Sequence, residues 1–106
     1  MYLRNRNTNQ TGGRFDDYTI QLVWNKAQII PGADPNVLRK DRCGAFIRRD
    51  QYGDTTPKGN GWEIDHEMPV AKGGSDSLHN LQPLQWENNR GKGEDYPYWT
   101  CAVKAA

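Results

Sequence analysis

No stretch of this sequence approaches the run of about 20 apolar residues that spans a bilayer, so no membrane-crossing helix is expected. Cysteine is scarce: Cys43 and Cys101 are the only two, and they form no CxxC pair. That excludes a four-thiolate zinc site. Nothing marks the chain as secreted, so the two cysteines read as buried free thiols, with a disulfide as the open alternative. An excess of charge of one sign is also missing. Lys and Arg number 14 against 13 Asp and Glu, and the net charge of +1 carries no global polyanion signal. The first residues, Met1-Tyr2-Leu3-Arg4-Asn5, lack the apolar centre of a signal peptide, and a cytoplasmic location follows as an expectation. Hydrophobic residues make up only 35% of the 106, which suits one modest core rather than two.

What is present is unevenly placed. Four Trp and five Tyr offset the low aliphatic content, because each ring buries a large area. Arg39, Lys40, Arg42, Arg48 and Arg49 form one basic cluster, and Arg4, Arg6 and Arg14 lie near the start. A charge cluster is as readily a solvated face as a phosphate-binding surface. Residues 1–13 are rich in Asn, Thr, Gly and Arg and read as a mobile tail, leaving 14–106 as one domain.

Residues 15–30 are the first strongly apolar segment. Asp16 or Asp17 caps a helix there, and Ile20, Val23, Trp24 and Ala27 fall on one helical face. Ile20, Leu22 and Trp24 also alternate as a strand would, but the helix is favoured. Pro31 and Gly32 end the segment. Asp34-Pro35 turns the chain into a short basic helical stretch stopped by Gly44, and residues 45–47 suit a short strand. Residues 48–61 read as a loop. Trp62 and Ile64 alternate with polar neighbours, as on a strand with one buried face. Gly73-Gly74 must turn, residues 78–84 return extended, and a helix follows over 84–92, ending at Gly91 or Gly93. The tail aromatics Tyr96, Tyr98 and Trp99, with Val103, are expected to pack back onto the core.

Strand, turn, strand and helix over residues 61–93 gather the polar groups. Asp65-His66-x-x-Pro69-x-x-x-Gly73-Gly74, then Asn80-Leu81-x-x-Leu84, then Asn89-x-x-Lys92-Gly93 resembles the signature of the HNH, or His-Me finger, endonucleases. Several residue types agree at several spacings together, which is far more specific than an Asp-His pair. The segment 41–45 with Tyr52-Gly53 and Gly61-Trp62-Glu63 is similar to HNH proteins more weakly.

The resemblance implies an α+β fold with a ββα-metal hairpin plus helix and additional N-terminal helices. It also implies hydrolysis of DNA phosphodiester bonds. Position by position, it makes His66 the general base, Asp65 a metal ligand, and Asn80 the residue that holds the loop and orients the imidazole. Asn89 stands where many members have His, giving an HNN variant in which its amide oxygen is the second ligand. One carboxylate and one amide oxygen are hard donors, suited to Mg²⁺ or Mn²⁺. A neutral imidazole accepts a proton near neutral pH. Many relatives carry two CxxC pairs that hold structural zinc. The second pair would fall at Gln85 and Asn88, so no structural zinc is expected, and packing around Trp62, Trp86 and Trp99 would take its place.

Each residue also has a plainer reading. A lone histidine is more often structural than catalytic, and the surrounding pattern is what reverses this for His66. Asp65 taken alone caps a turn, and Asn89 taken alone is an exposed helix residue, with Asn88 the competing ligand. Glu63 and Glu67 read as solvated, with Glu67 a possible aid to the metal. Arg90, Lys92, Arg42 and Arg48 are the candidate DNA-phosphate contacts. The expected partner is DNA, with no membrane, and the chain acts as a monomer that nicks or as a homodimer that cuts both strands. Two other functions share the fold: a non-catalytic DNA-binding module, and a toxin-type nuclease held by an inhibitor protein.

Overall fold

The computed structural model describes residues 5–105. It is a mixed α/β structure with two helices and two antiparallel sheets. Helix α1, Asp17–Trp24, starts where the Asp16 carboxylate accepts the Thr19 amide, so the capping residue read from the sequence is in place. The helix is shorter than the 15–30 segment. Lys26 and Ala27 bond back to Val23 and Trp24, and the chain passes into strand β1, Gln28–Ile29.

The basic stretch expected to be helical is instead strand β2, Leu38–Lys40. It pairs with β1 on one side and with β3, Phe46–Arg48, on the other. The reason lies in Arg39, which is not a surface charge. Its guanidinium turns inward and donates to the carbonyls of Pro35, Asn25 and Ala27, closing the end of α1. Of the additional N-terminal helices expected, the described residues contain one α-helix, α1.

Strands β4, Trp62–His66, and β5, Leu81–Gln85, form the second sheet. Trp62 lies opposite Gln85, Ile64 opposite Pro83, and His66 opposite Leu81. Proline inside a ladder normally loses a bond. Here nothing is lost, because the Ile64 amide points away from β5 and is taken by the Asn7 side chain. Helix α2, Trp86–Lys92, follows β5 directly, with the Gln85 side chain accepting the Glu87 and Asn88 amides.

The two faces of the hairpin differ. Trp62 and Ile64 meet Ile20, Val23 and Trp24 of α1 together with Phe15, Ile47 and Leu81, and this is the hydrophobic core. The Trp62 ring lies 5.3 Å from that of Trp24 and 4.9 Å from that of Tyr52. Glu63 and Asp65, on the opposite face, meet α2. Residues of the expected tail are tied to this body. The Asn7 oxygen accepts from both Tyr52 and Ile64, and the Gln10 amide bonds the Asp76 carboxylate. Residues 1–4 lie outside the described residues.

The cysteines are not free thiols: Cys43 and Cys101 form a disulfide. Nor do the three tryptophans expected to hold the unit together all lie in the core. Trp62 is fully buried, but Trp86 and Trp99 lie at the margin beneath Arg90 and Arg42. Asp41 instead joins the 41–45 turn to the start of α2. Fully buried, it accepts the amides of Cys43 and Ala45 on one oxygen, and the amide of Gln85 and the side chain of Asn88 on the other. The Asn88 oxygen in turn accepts the amides of Ala102 and Val103. Among the described residues no helix is long and apolar enough to cross a membrane.

Candidate active site

Because side chains alternate along β4, Asp65 and His66 leave the strand on opposite faces. They still border one cleft, because both stand at the strand's end. Asp65, His66, Ile64, Pro69, Val70 and Asn89 line it, and residues 5–8 close its other side. Asn89 comes from α2, so groups distant in sequence converge.

His66 is 8% exposed, with the Phe15 ring centred 6.0 Å from its own. Its Nε2 lies 2.7 Å from a carboxylate oxygen of Asp76. An ionised carboxylate only accepts, so in the neutral ring Nε2 carries the proton and Nδ1 is the basic nitrogen. Nδ1 has no protein partner among the described residues. Asp76 reaches His66 because the chain reverses at Gly73-Gly74. Gly73 has φ +94°, and a Cβ on Gly74 would sit 1.7 Å from the Met68 carbonyl oxygen. Asn80 spans the same loop: it accepts the Met68 amide and donates to the carbonyls of Met68 and Ser75.

Asp65 is held from two sides. Gln82, its partner across the sheet, donates to one oxygen at 2.9 Å. The Lys92 ammonium lies 3.2 Å from the same oxygen and also donates to the His66 carbonyl. Burial pushes the Asp65 carboxyl above its ordinary range, and the charge of Lys92 and the Gln82 bond pull it back. Asn89 gives its Nδ2 to Glu63 at 3.0 Å. Its Oδ1, the atom that would ligate a cation, has no protein partner among the described residues. No three His, Cys, Asp or Glu side chains converge among those residues. A cation here would rest on the carboxylate of Asp65 and the amide of Asn89, a hard-donor pair that suits a well-hydrated divalent ion.

Residues 51–98, which include β4, β5 and α2, match the family model of the HNH endonuclease. The match supports assigning the chain to the HNH endonuclease family. No curated protein and no solved structure matches it. HNH nucleases generally use divalent metals, and DNA is the substrate class the family implies.

Within this HNH frame, some expected site residues stand elsewhere. Lys92, expected on the DNA surface, is 1% exposed and committed to Asp65. Arg90 pairs with Glu63 and covers Trp86. Arg42 pairs with Glu67 and covers Trp99, while Arg48 pairs with Asp50. None of the four lines the cleft. Glu63, read as solvated, is 4% exposed and fixes the Asn89 amide. Glu67 does not border the cleft.

Asp76 was missed by the sequence reading. The available signal was a carboxylate placed two residues beyond an obligatory Gly-Gly reversal, where the returning chain faces the strand end. The buried partner of Asp65 had a signal too. Lys92 follows Asn89 by three positions, so both point at the same strand face.

Proposed function

We propose that this chain is a metal-dependent endonuclease that hydrolyses DNA phosphodiester bonds, with His66 as general base and a ββα-metal arrangement formed by β4, β5 and α2. The observation that carries this reading is the convergence on one cleft of Asp65, His66 and Asn89, with the imidazole fixed by Asp76 so that Nδ1 is left as the proton acceptor.

Asp65 and Asn89 Oδ1 would hold a divalent cation such as Mg²⁺ or Mn²⁺. When bound, that ion stabilises negative charge on the phosphate and on the leaving oxygen. His66 Nδ1 takes a proton from water as the water oxygen bonds to phosphorus and the phosphorus–O3′ bond breaks. The departing O3′ oxyanion takes a proton from solvent, and the products are a 3′-hydroxyl and a 5′-phosphate. Asp76 keeps the ring oriented and stabilises the imidazolium that forms. Asn80 keeps the loop that carries Asp76 at the right distance, and Glu63 keeps the Asn89 amide from flipping. One such site cuts one strand, so a monomer nicks.

The test is relaxation of supercoiled plasmid in Mg²⁺ or Mn²⁺ by wild type and by His66→Ala. Loss of about 10²–10⁴-fold in rate is expected, with duplex binding retained. Equal nicking by the variant would remove His66 from the mechanism. The binding-module reading draws on one feature, the engagement of Asp65 by Lys92. It predicts duplex binding by wild type without cutting in any metal.

A further inference from the structure

The cations expected to meet DNA are spent on carboxylates or lie outside the cleft. The cleft itself carries the carboxylates of Asp65 and Glu94. Lys92 offsets Asp65 from within the protein, so a polyanion approaching from solvent meets little positive charge there. Arg6 is the exception. Among the described residues it is the one Lys or Arg that lines the cleft, it is exposed, and it makes no ion pair.

Its position is built rather than accidental. Residues 5–8 form a turn in which the Thr8 hydroxyl donates to the Asn5 carbonyl. Asn7, at φ +60°, takes the left-handed conformation that asparagine tolerates better than most residues. The Asn7 side chain then clamps the turn to the outer edge of β4 through Ile64, and to Tyr52. Gln10 ties the segment to Asp76, the residue that holds His66. The turn is thus moored on both sides of the reacting groups, and Arg6 sits at its corner.

We propose that Arg6 is a substrate-binding residue whose guanidinium grips a DNA phosphate in this cleft, so that the N-terminal segment forms one wall of the nuclease site. This rests on the nuclease reading above for the identity of the ligand. A guanidinium offers a planar fork of donors that matches two phosphate oxygens.

The experiment compares duplex binding by fluorescence anisotropy from 50 to 200 mM KCl, using His66→Ala protein to avoid cleavage, alone and combined with Arg6→Gln, Arg6→Lys or Arg48→Gln. Arg6→Gln and Arg48→Gln each remove one positive charge, and only Arg6 lines the cleft. Loss of one phosphate contact makes the salt slope shallower by about 0.9, which corresponds to an affinity loss of about eightfold at 0.1 M relative to a 1 M reference. That loss is expected for Arg6→Gln. Arg6→Lys should keep the slope, and Arg48→Gln should leave both quantities within about twofold. Equal effects of the Arg6 and Arg48 substitutions, or none from Arg6, would overturn the proposal. The two readings fail separately. Wild-type nicking with Arg6→Gln indistinguishable in KM and binding removes Arg6 and leaves the nuclease. A selective Arg6 effect on binding without wild-type nicking removes the nuclease and leaves the phosphate contact.

Discussion

Asp41 ties its own turn to Gln85 and Asn88, and its replacement should be among the costliest substitutions in the protein. Its two oxygens satisfy the backbone amides of Cys43, Ala45 and Gln85 and one amide hydrogen of Asn88, at 2.9–3.0 Å. In Asp41→Asn one oxygen can still serve the 43–45 turn. The other position becomes an NH₂ group facing two further donors, the Gln85 amide and the Asn88 side chain. A buried donor left without an acceptor costs about 1–3 kcal/mol. Asn88 keeps its second bond to the Val103 carbonyl, which limits its share. The expected loss is therefore about 2–5 kcal/mol, a large part of the roughly 5–15 kcal/mol total of a typical domain. With a urea m-value of about 1.5 kcal/mol/M, the unfolding midpoint should fall by about 1.3–3.3 M. Equilibrium urea unfolding under oxidising conditions, followed by tryptophan fluorescence, measures it. A fall below about 0.5 M would mean that water replaces Asp41 freely, and the account of the hub would be wrong. A double-mutant cycle with Asn88→Ala should show strong coupling, because the two share a bond.

Three further outcomes follow from the same structure. Reducing the Cys43–Cys101 bond, which closes a separation of 58 residues, should lower stability by up to about 4 kcal/mol, read as a fall in melting temperature with dithiothreitol that Cys43→Ser with Cys101→Ser reproduces without reductant. Lys92→Met should cost about 3–5 kcal/mol near pH 7, because the Asp65 carboxylate is left buried without its cation. That deficit should shrink as pH falls and the already raised Asp65 carboxyl takes up a proton, whereas a deficit independent of pH would point to packing alone. Tyr52, pushed up to about 12 chiefly by burial, stays protonated in the fold while the unfolded phenol ionises near ~10. Stability is thus intact below pH 10 and lost between 10 and 12, by about 1–2 kcal/mol after allowing for solvent screening of a half-buried ring. Thermal melts across that range should show the loss, and Tyr52→Phe should lack it.

The hairpin and second helix were legible because their residues answer to local rules. Period-two alternation marks β4, glycines force the reversal at 73–74, and the spacing from Asp65 to Asn89 sets one helix against one strand face. What was not legible depends on long-range partners. Arg39 and Lys92 read as surface cations because a charge is usually solvated. Each is buried only because carbonyls or a carboxylate from another element meet it; the spacing of Lys92 from Asn89 marks the helix face it shares but does not name that partner. Cys43 and Cys101 looked like isolated thiols for the same reason. Their pairing depends on the C-terminal segment returning to Asn88, and Asn88 itself looked like an alternative metal ligand. Asp41 shows the limit most clearly. In the sequence it is one acid in a basic stretch, and its place at the centre of a junction appears only when Gln85 and Asn88 are found donating to it. The Asp41 carboxylate holds the 41–45 turn to the start of α2 through Gln85 and Asn88, the disulfide ties the same turn to the C-terminal segment, and that junction fixes the origin of the helix that carries Asn89 into the cleft and Lys92 against Asp65.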